Sequence, residues 1–268
     1  MSFAAATAVK ADGDGRHLAE LSPDWAVGER PHGGYLLAVV ARAALDAASH
    51  APHPAPDPLA VSAQFLRPPA FGPAVVRTAV RRSGRTVTIV GATLEQDDAV
   101  CVEATVTCGT LPDGDPDWLD VPDLAAEPPA TAMDVAGLPG NPLRIAGVAD
   151  LRLDPATFGP VAGQAGLPPH IHLWLRPRDA EPDALFALVA GDISPPVVFN
   201  LGRFGWSPTV QLTALLRARP APGWLRVRAD SRSLHDRWFD EDHTVIDSAG
   251  RLVCQSRQLA IAPAPSAG

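Results

Sequence analysis

Residues 31–44 read PHGGYLLAVVARAA, a Gly-Gly pair opening a strongly apolar helix. A second hydrophobic helix, Ala184 to Ala190, runs directly onto Asp192. Each apolar helix needs a partner layer to bury it, so the two decide the fold. The second also ends on a carboxylate, which is costly inside a protein unless it is paired or used. The arrangement points to an enzyme.

Around each helix the chain is strand-like. Runs near Thr7 and His17 flank the turn Asp12-Gly13-Asp14-Gly15, and the helix from Gly33 extends to about His50. Leu59–Leu66, Ala74–Arg81, Thr86–Leu94 and Ala99–Cys108 then follow with the rhythm of an antiparallel meander. Residues 112–145, rich in Pro, Asp and Ala and without periodicity, are predicted to be an inter-repeat linker. Beyond them the order recurs. Strands are expected near Asp150–Leu153 and His170–Leu175, a helix over about Asp183–Gly191, and strands over Thr209–Arg217, Trp224–Ser233, His243–Asp247 and Arg251–Ile261.

The halves also correspond in detail. AVSAQFLRPPAFGPAVVRTAV answers TVQLTALLRARPAPGWLRVRA, and AVCVEATVTC lies over LVCQSRQLAI. The reading is an α+β fold of two tandem repeats, residues 1–111 and 146–268, each a helix wrapped by a curved antiparallel sheet.

Composition narrows the partners. The 268 residues hold 30 acidic and 22 basic side chains, a formal charge of −8, which argues against nucleic acid or an anionic membrane surface. Three cysteines, Cys101, Cys108 and Cys254, form no C-x-x-C pair, so neither a zinc framework nor a disulfide scaffold is expected. No signal peptide is read at the N-terminus, and Arg42 interrupts the longest apolar helix, so a cytoplasmic location is expected. A second copy of the chain is the one protein partner entertained.

In order and spacing, Trp25 followed after five residues by PHGGYLLA, then SAQFLRP, then R-x-G-R-T-V-T, then a D-x-x-G turn before LVCQSRQLAI resemble the type II (TesB-like) acyl-CoA thioesterases, the double hotdog proteins. The resemblance covers nearly the whole chain outside the linker. It implies a double hotdog fold and cofactor-free, metal-free hydrolysis of a fatty or related acyl-CoA. It also implies a site of Asp192, Thr209 and Gln258, with the first repeat's helix beside the second. Thr209 stands one residue too far from its Arg-Pro corner, so either a bulge absorbs the difference or Gln211 or Thr213 fills the position.

The residue types suit that chemistry. Thioester hydrolysis needs a water deprotonated and aimed, which a carboxylate does when a hydroxyl and an amide hold the water's other contacts. The oxyanion needs donors, and Gly33 and Gly34 leave helix-start amides uncovered, with His32 beside them as a further substrate contact.

Plainer readings stand beside these. Asp192 could cap an Asx turn before Ile193, and the Gly pair could serve only close packing. Strict alternation turns Thr209 outward. His170 and His172 read as structural, and the run from His235 to His243 as a solvated hairpin. Two other functions remain: a hotdog enoyl-CoA hydratase, which needs an Asp and His pair near a helix start that the sequence does not show beside Asp192, and a non-catalytic acyl-CoA binder, which would tolerate loss of Asp192 or Gln258.

Overall fold

The computed structural model describes residues 1–264 apart from Pro54, Pro139 and Ala165; position 139 of the expected linker and positions 265–268 of the expected second repeat lie outside the described residues. The first repeat runs α1 (Phe3–Ala6), β1 (Val9–Ala11), β2 (Arg16–Leu21), β3 (Ala26–Val27), β4 (Arg30–Pro31), α2 (Gly33–Ser49), β5 (Asp57–Phe65), β6 (Gly72–Ser83), β7 (Thr88–Gln96) and β8 (Ala99–Gly109). The short β9 (Met133–Asp134) precedes the second repeat. That repeat comprises β10 (Ala149–Leu153), β11 (His170–Pro177), α3 (Ala184–Ala190), β12 (Thr209–Leu216), β13 (Leu225–Asp230), β14 (Leu234–His235), β15 (Trp238–Ile246) and β16 (Leu252–Ile261).

The topology repeats one pattern twice. The first half has strand order β2-β6-β7-β8-β5, and the second has β11-β13-β15-β16-β12. The two sheets join edge to edge where β5 pairs antiparallel with β12, Ser62 opposite Thr213 and Gln64 opposite Gln211. One helix lies against each half, which is the double hotdog that the sequence leads one to expect.

Composition explains α2. Its Ala- and Leu-rich run is buried on almost every side, from Tyr35 to Ala44 with the partial exception of Arg42. A helix apolar all round belongs inside a protein. Burying Leu37, Val39 and Val40 fully, as here, is worth roughly 1.5 to 3 kcal/mol per side chain. Half-buried Arg42 is satisfied by donating to the hydroxyl of buried Thr7.

The start of α2 presses on the end of α3. A Cβ added to Gly34 would stand 2.7 Å from the Leu188 carbonyl oxygen and 2.8 Å from Val189 Cα. Only glycine permits that approach.

Thr7 departs from expectation. It closes the four-residue α1, its hydroxyl donating to the Phe3 carbonyl, and the first strand begins only at Val9. So short a helix has no periodicity to read; Phe3 anchors it by packing on Trp25 and Phe186. All three cysteines are buried and free, and burial pushes the Cys108 and Cys254 thiols up to about 12. Among the described residues no helix is long and apolar enough to cross a membrane.

Candidate active site

Asp183 starts α3 by accepting a hydrogen bond from the Phe186 N–H, and β16 fixes where the helix stops. The inward residues of β16 alternate as Cys254, Ser256, Gln258 and Ala260. Ser256 donates its hydroxyl proton to the Gly191 carbonyl, and a Cβ on Gly191 would meet Cys254 Sγ at 3.1 Å. The chain therefore leaves α3 at a set point, with Asp192 directly under the start of α2.

There Asp192 Oδ2 accepts the Gly34 N–H at 2.7 Å. The positive end of the α2 dipole supports the carboxylate. Burial nevertheless raises its pKa above the ordinary carboxylate value, against the lowering effect of the Gly34 N–H. Its second oxygen makes no hydrogen bond among the described residues, and Asp192 lines the main cavity.

This geometry changes two expectations. The Gly34 N–H is occupied by Asp192 and so is not open to a thioester oxygen. Gly33 makes no hydrogen bond through its N–H among the described residues, and it lines the cavity. His32 does stand beside Asp192, Nε2 lying 3.8 Å from Oδ2, although 160 positions separate them in sequence. Its tautomer follows from its partners. Nε2 is 2.9 Å from the Asp192 carbonyl, which can only accept, so Nε2 carries the proton; Nδ1 in turn accepts the Tyr35 N–H. Both ring nitrogens are occupied, which makes His32 a tie between α2 and the Asp192 loop.

A bulge decides which way Thr209 faces. β12 turns Leu212, Ala214 and Leu216 inward, and strict alternation would send Thr209 out. Its register against β16 shifts between Thr209 and Gln211. One added residue reverses the facing, so Thr209 lines the cavity and donates its hydroxyl proton to Gln258 Oε1 at 2.5 Å. Gln211 and Thr213 bond each other away from this group, with the Thr213 hydroxyl 2.9 Å from that of Ser62.

Reading His235–His243 as a solvated hairpin misses two residues. The hairpin tip is real, with Asp236 at φ 56°, but Glu241 and His243 are each only 1% exposed. Ser194 donates to Glu241 Oε1 and stands 3.0 Å from His243 Nε2, while the Val197 N–H donates to Glu241 Oε2 at 3.0 Å. Gln258 lies directly across the ladder from Glu241, on the same inward face. A signal existed: Phe239, Glu241, His243 and Val245 share strand parity, so two apolar neighbours mark that face as inward.

Burial pushes Glu241 up to about 8, and it pushes His243 down to about 4. Folded Glu241 keeps a proton that the unfolded chain releases above its ordinary 4.5, so its stabilisation is complete at low pH and is lost as pH rises toward 8. His243 acts oppositely, its contribution being present above 6.5 and lost as pH falls toward 4. From pH 6.5 to 8 only the Glu241 effect remains of these two. Stability should therefore fall by roughly 1.5 to 2 kcal/mol over that window. Urea midpoints at the two ends check this, and a flat or rising stability contradicts it.

These groups share one cavity of about 780 Å³. Its polar wall carries Asp192, Ser194, Thr209, Glu241 and Gln258, and its apolar wall includes Leu151, Leu153, Phe158 and Leu173. The segment expected as linker contributes Val135, Leu138 and Leu143 to the wall, held where the Gly28 N–H donates to the Pro142 carbonyl at 2.7 Å.

Comparison with known proteins matches most of the chain, in two segments. Residues 21–109 match the sequence profile described as acyl-CoA thioesterase N-terminal domain, and residues 120–262 match the one described as acyl-CoA thioesterase C-terminal domain. Uncharacterized proteins of Mycobacterium tuberculosis and Mycobacterium bovis are 41% identical over 266 residues, covering 91% of this chain and 90% of theirs. A protein from Thermobifida fusca with the provisional designation thioesterase II superposes with TM-score 0.85 at 34% identity, over 98% of both chains. An acyl-CoA thioesterase II from Mycobacterium marinum superposes with TM-score 0.68 at 15% identity over 99% of both, a likeness of fold.

Proposed function

The chain belongs to the acyl-CoA thioesterase family, and on that premise we propose that it hydrolyses an acyl-CoA to the free acid and CoA by water that Asp192 activates. The observation carrying this reading is the position of Asp192: a carboxylate with raised pKa, fixed by the Gly34 N–H and His32, with one oxygen left for a water. A carboxylate raised above its ordinary value is, once ionised, the stronger base toward a water proton. In this reading the Asp192 oxygen takes the water's proton as its oxygen attacks the thioester carbon. Thr209 and Gln258 hold the water, and the Gly33 N–H donates a hydrogen bond to the developing oxyanion. The C–S bond then breaks, and the proton on Asp192 passes to the leaving thiolate.

A second reading has its own observation. Ser194, His243 and Glu241 are the three residue types of a nucleophilic triad, and Ser194 lines the cavity. Their order is wrong for that role. In such a triad the acid orients the histidine through Nδ1, whereas here Glu241 bonds the serine and His243 Nδ1 has no partner among the described residues. Ser194→Ala is therefore expected to lower kcat by less than about tenfold, where loss of a nucleophile costs on the order of 10⁵ or more. Mass spectrometry during turnover should find no acyl group on Ser194.

The deciding experiment is a panel of acyl-CoA thioesters assayed for free thiol, with an enoyl-CoA followed for hydration in parallel. Thiol release abolished in Asp192→Asn supports hydrolysis. Hydration without thiol release would replace that reading with the hydratase, and tight binding with neither reaction would make the protein an acyl-CoA binder.

A further inference from the structure

The Gln258 carboxamide can face Thr209 through its oxygen or through its nitrogen, and the two orientations have opposite consequences. With Oε1 toward Thr209, the threonine donates its only hydroxyl proton to the amide, at 2.5 Å. Thr209 then presents only lone pairs to the cavity. A water there must donate to Thr209 Oγ1 and to Asp192, which leaves an oxygen lone pair free for attack. With the amide reversed, Nε2 donates to Thr209 and the hydroxyl proton turns into the cavity. The water would then accept that proton, which turns one of its two lone pairs toward Thr209 instead of toward the thioester.

We infer that Glu241 is a positioning residue that sets this choice: its buried carboxyl takes the Gln258 N–H, so the amide oxygen faces Thr209 and the water is held with its nucleophilic side outward. The inference rests on the hydrolytic reading of Asp192, Thr209 and Gln258.

Three observations support it. Glu241 lies directly opposite Gln258 in the β15–β16 register, and both side chains are on the inward face. The carboxyl is held from two other sides, by the Ser194 hydroxyl and the Val197 N–H, so it does not rotate away. It is also shielded from solvent, which leaves Gln258 no competing partner on that side. The orientation does not depend on Glu241 being ionised. When protonated it can donate to Ser194 Oγ, whose own proton then goes to His243 Nε2 at 3.0 Å, and the side facing Gln258 remains an acceptor.

The test compares Glu241→Met, which keeps the length but accepts no hydrogen bond, with Glu241→Gln, which keeps an acceptor oxygen. Two quantities are read: kcat and KM on the best acyl-CoA of the panel, and the Gln258 side-chain amide signals in nitrogen–proton NMR, assigned by their loss in Gln258→Met. Glu241→Met should lower kcat about 10- to 100-fold, with KM within about threefold, and should move the Gln258 amide protons to water-exposed positions. Glu241→Gln should recover most of kcat and the native amide signals.

A folded Glu241→Met protein with native kcat, or with unmoved amide signals, overturns the inference. So does a Glu241→Gln protein as slow as the methionine variant, which would show that the charge and not the acceptor matters. The NMR arm needs no turnover. If the native protein hydrolyses no thioester, the functional reading fails on the panel while the amide signals still decide the hydrogen-bond claim.

Discussion

Asp192→Asn lowers kcat for thioester hydrolysis about 10²- to 10⁴-fold, some 3 to 5 kcal/mol of barrier, while Tm stays near that of the native protein. The side-chain amide has the shape of the carboxylate. Its oxygen can still accept the Gly34 N–H, which lies 2.7 Å from Oδ2 in the native protein, so the junction between α2 and α3 keeps its hydrogen bond. What remains facing the water is an NH₂ group, which cannot take a proton. The variant also loses an ionisable group that burial has raised, so the acid limb of the native pH–rate profile, expected above the ordinary carboxylate range, should vanish with it. Activity within a few fold of native, in a protein with native circular dichroism and Tm, removes Asp192 from the role of base.

Gly34→Val has the largest expected effect on stability. Its Cβ would meet the Leu188 carbonyl oxygen at 2.7 Å and Val189 Cα at 2.8 Å, both backbone atoms of a packed helix, and Asp192 Cβ at 3.1 Å. Neither helix can yield cheaply, because α2 carries the first sheet and α3 the second. Overpacking costs typically 1 to 3 kcal/mol, and contact with backbone puts this site at the upper end. A fall in Tm of roughly 6 to 12 °C follows for a chain of this size. Activity should fall as well and not recover on cooling, since the folded variant still has Asp192 pushed out of line. A Tm within about 1 °C of native would mean that the helices sit farther apart than described.

The sequence carries most of the architecture because its hydrophobic periods are long. The 14-residue run from Pro31 to Ala44 and the alternating strands from Leu59 to Cys108 each offer several turns or pleats of one pattern. The duplicate order of elements follows from reading that pattern twice. Features resting on a single residue are harder. The bulge at Thr209 leaves only an off-by-one spacing, and parity alone gives the wrong face. Glu241 and His243 hide in an acidic stretch whose tip does face solvent, because charge composition averages over a strand whose two faces differ. His32 and Asp192 could be paired only by knowing that the end of one helix lies under the start of the other, a tertiary fact with no local trace. The Gly pair was legible as a close approach, yet which amide stays open depends on where Asp192 points.

The union of β5 with β12 has a consequence for how such a gene can change. A duplicated gene usually leaves one copy free to drift while the other keeps the job. Here Gly33, Gly34 and His32 come from one copy and Asp192, Thr209, Glu241 and Gln258 from the other, so a substitution at the first copy's helix start is felt at once by the second copy's carboxylate. The copies lie in one hydrogen-bonded sheet, and in the proposed reaction they divide one task between them, so selection on that reaction acts on the pair as a single inheritance and neither can become the spare.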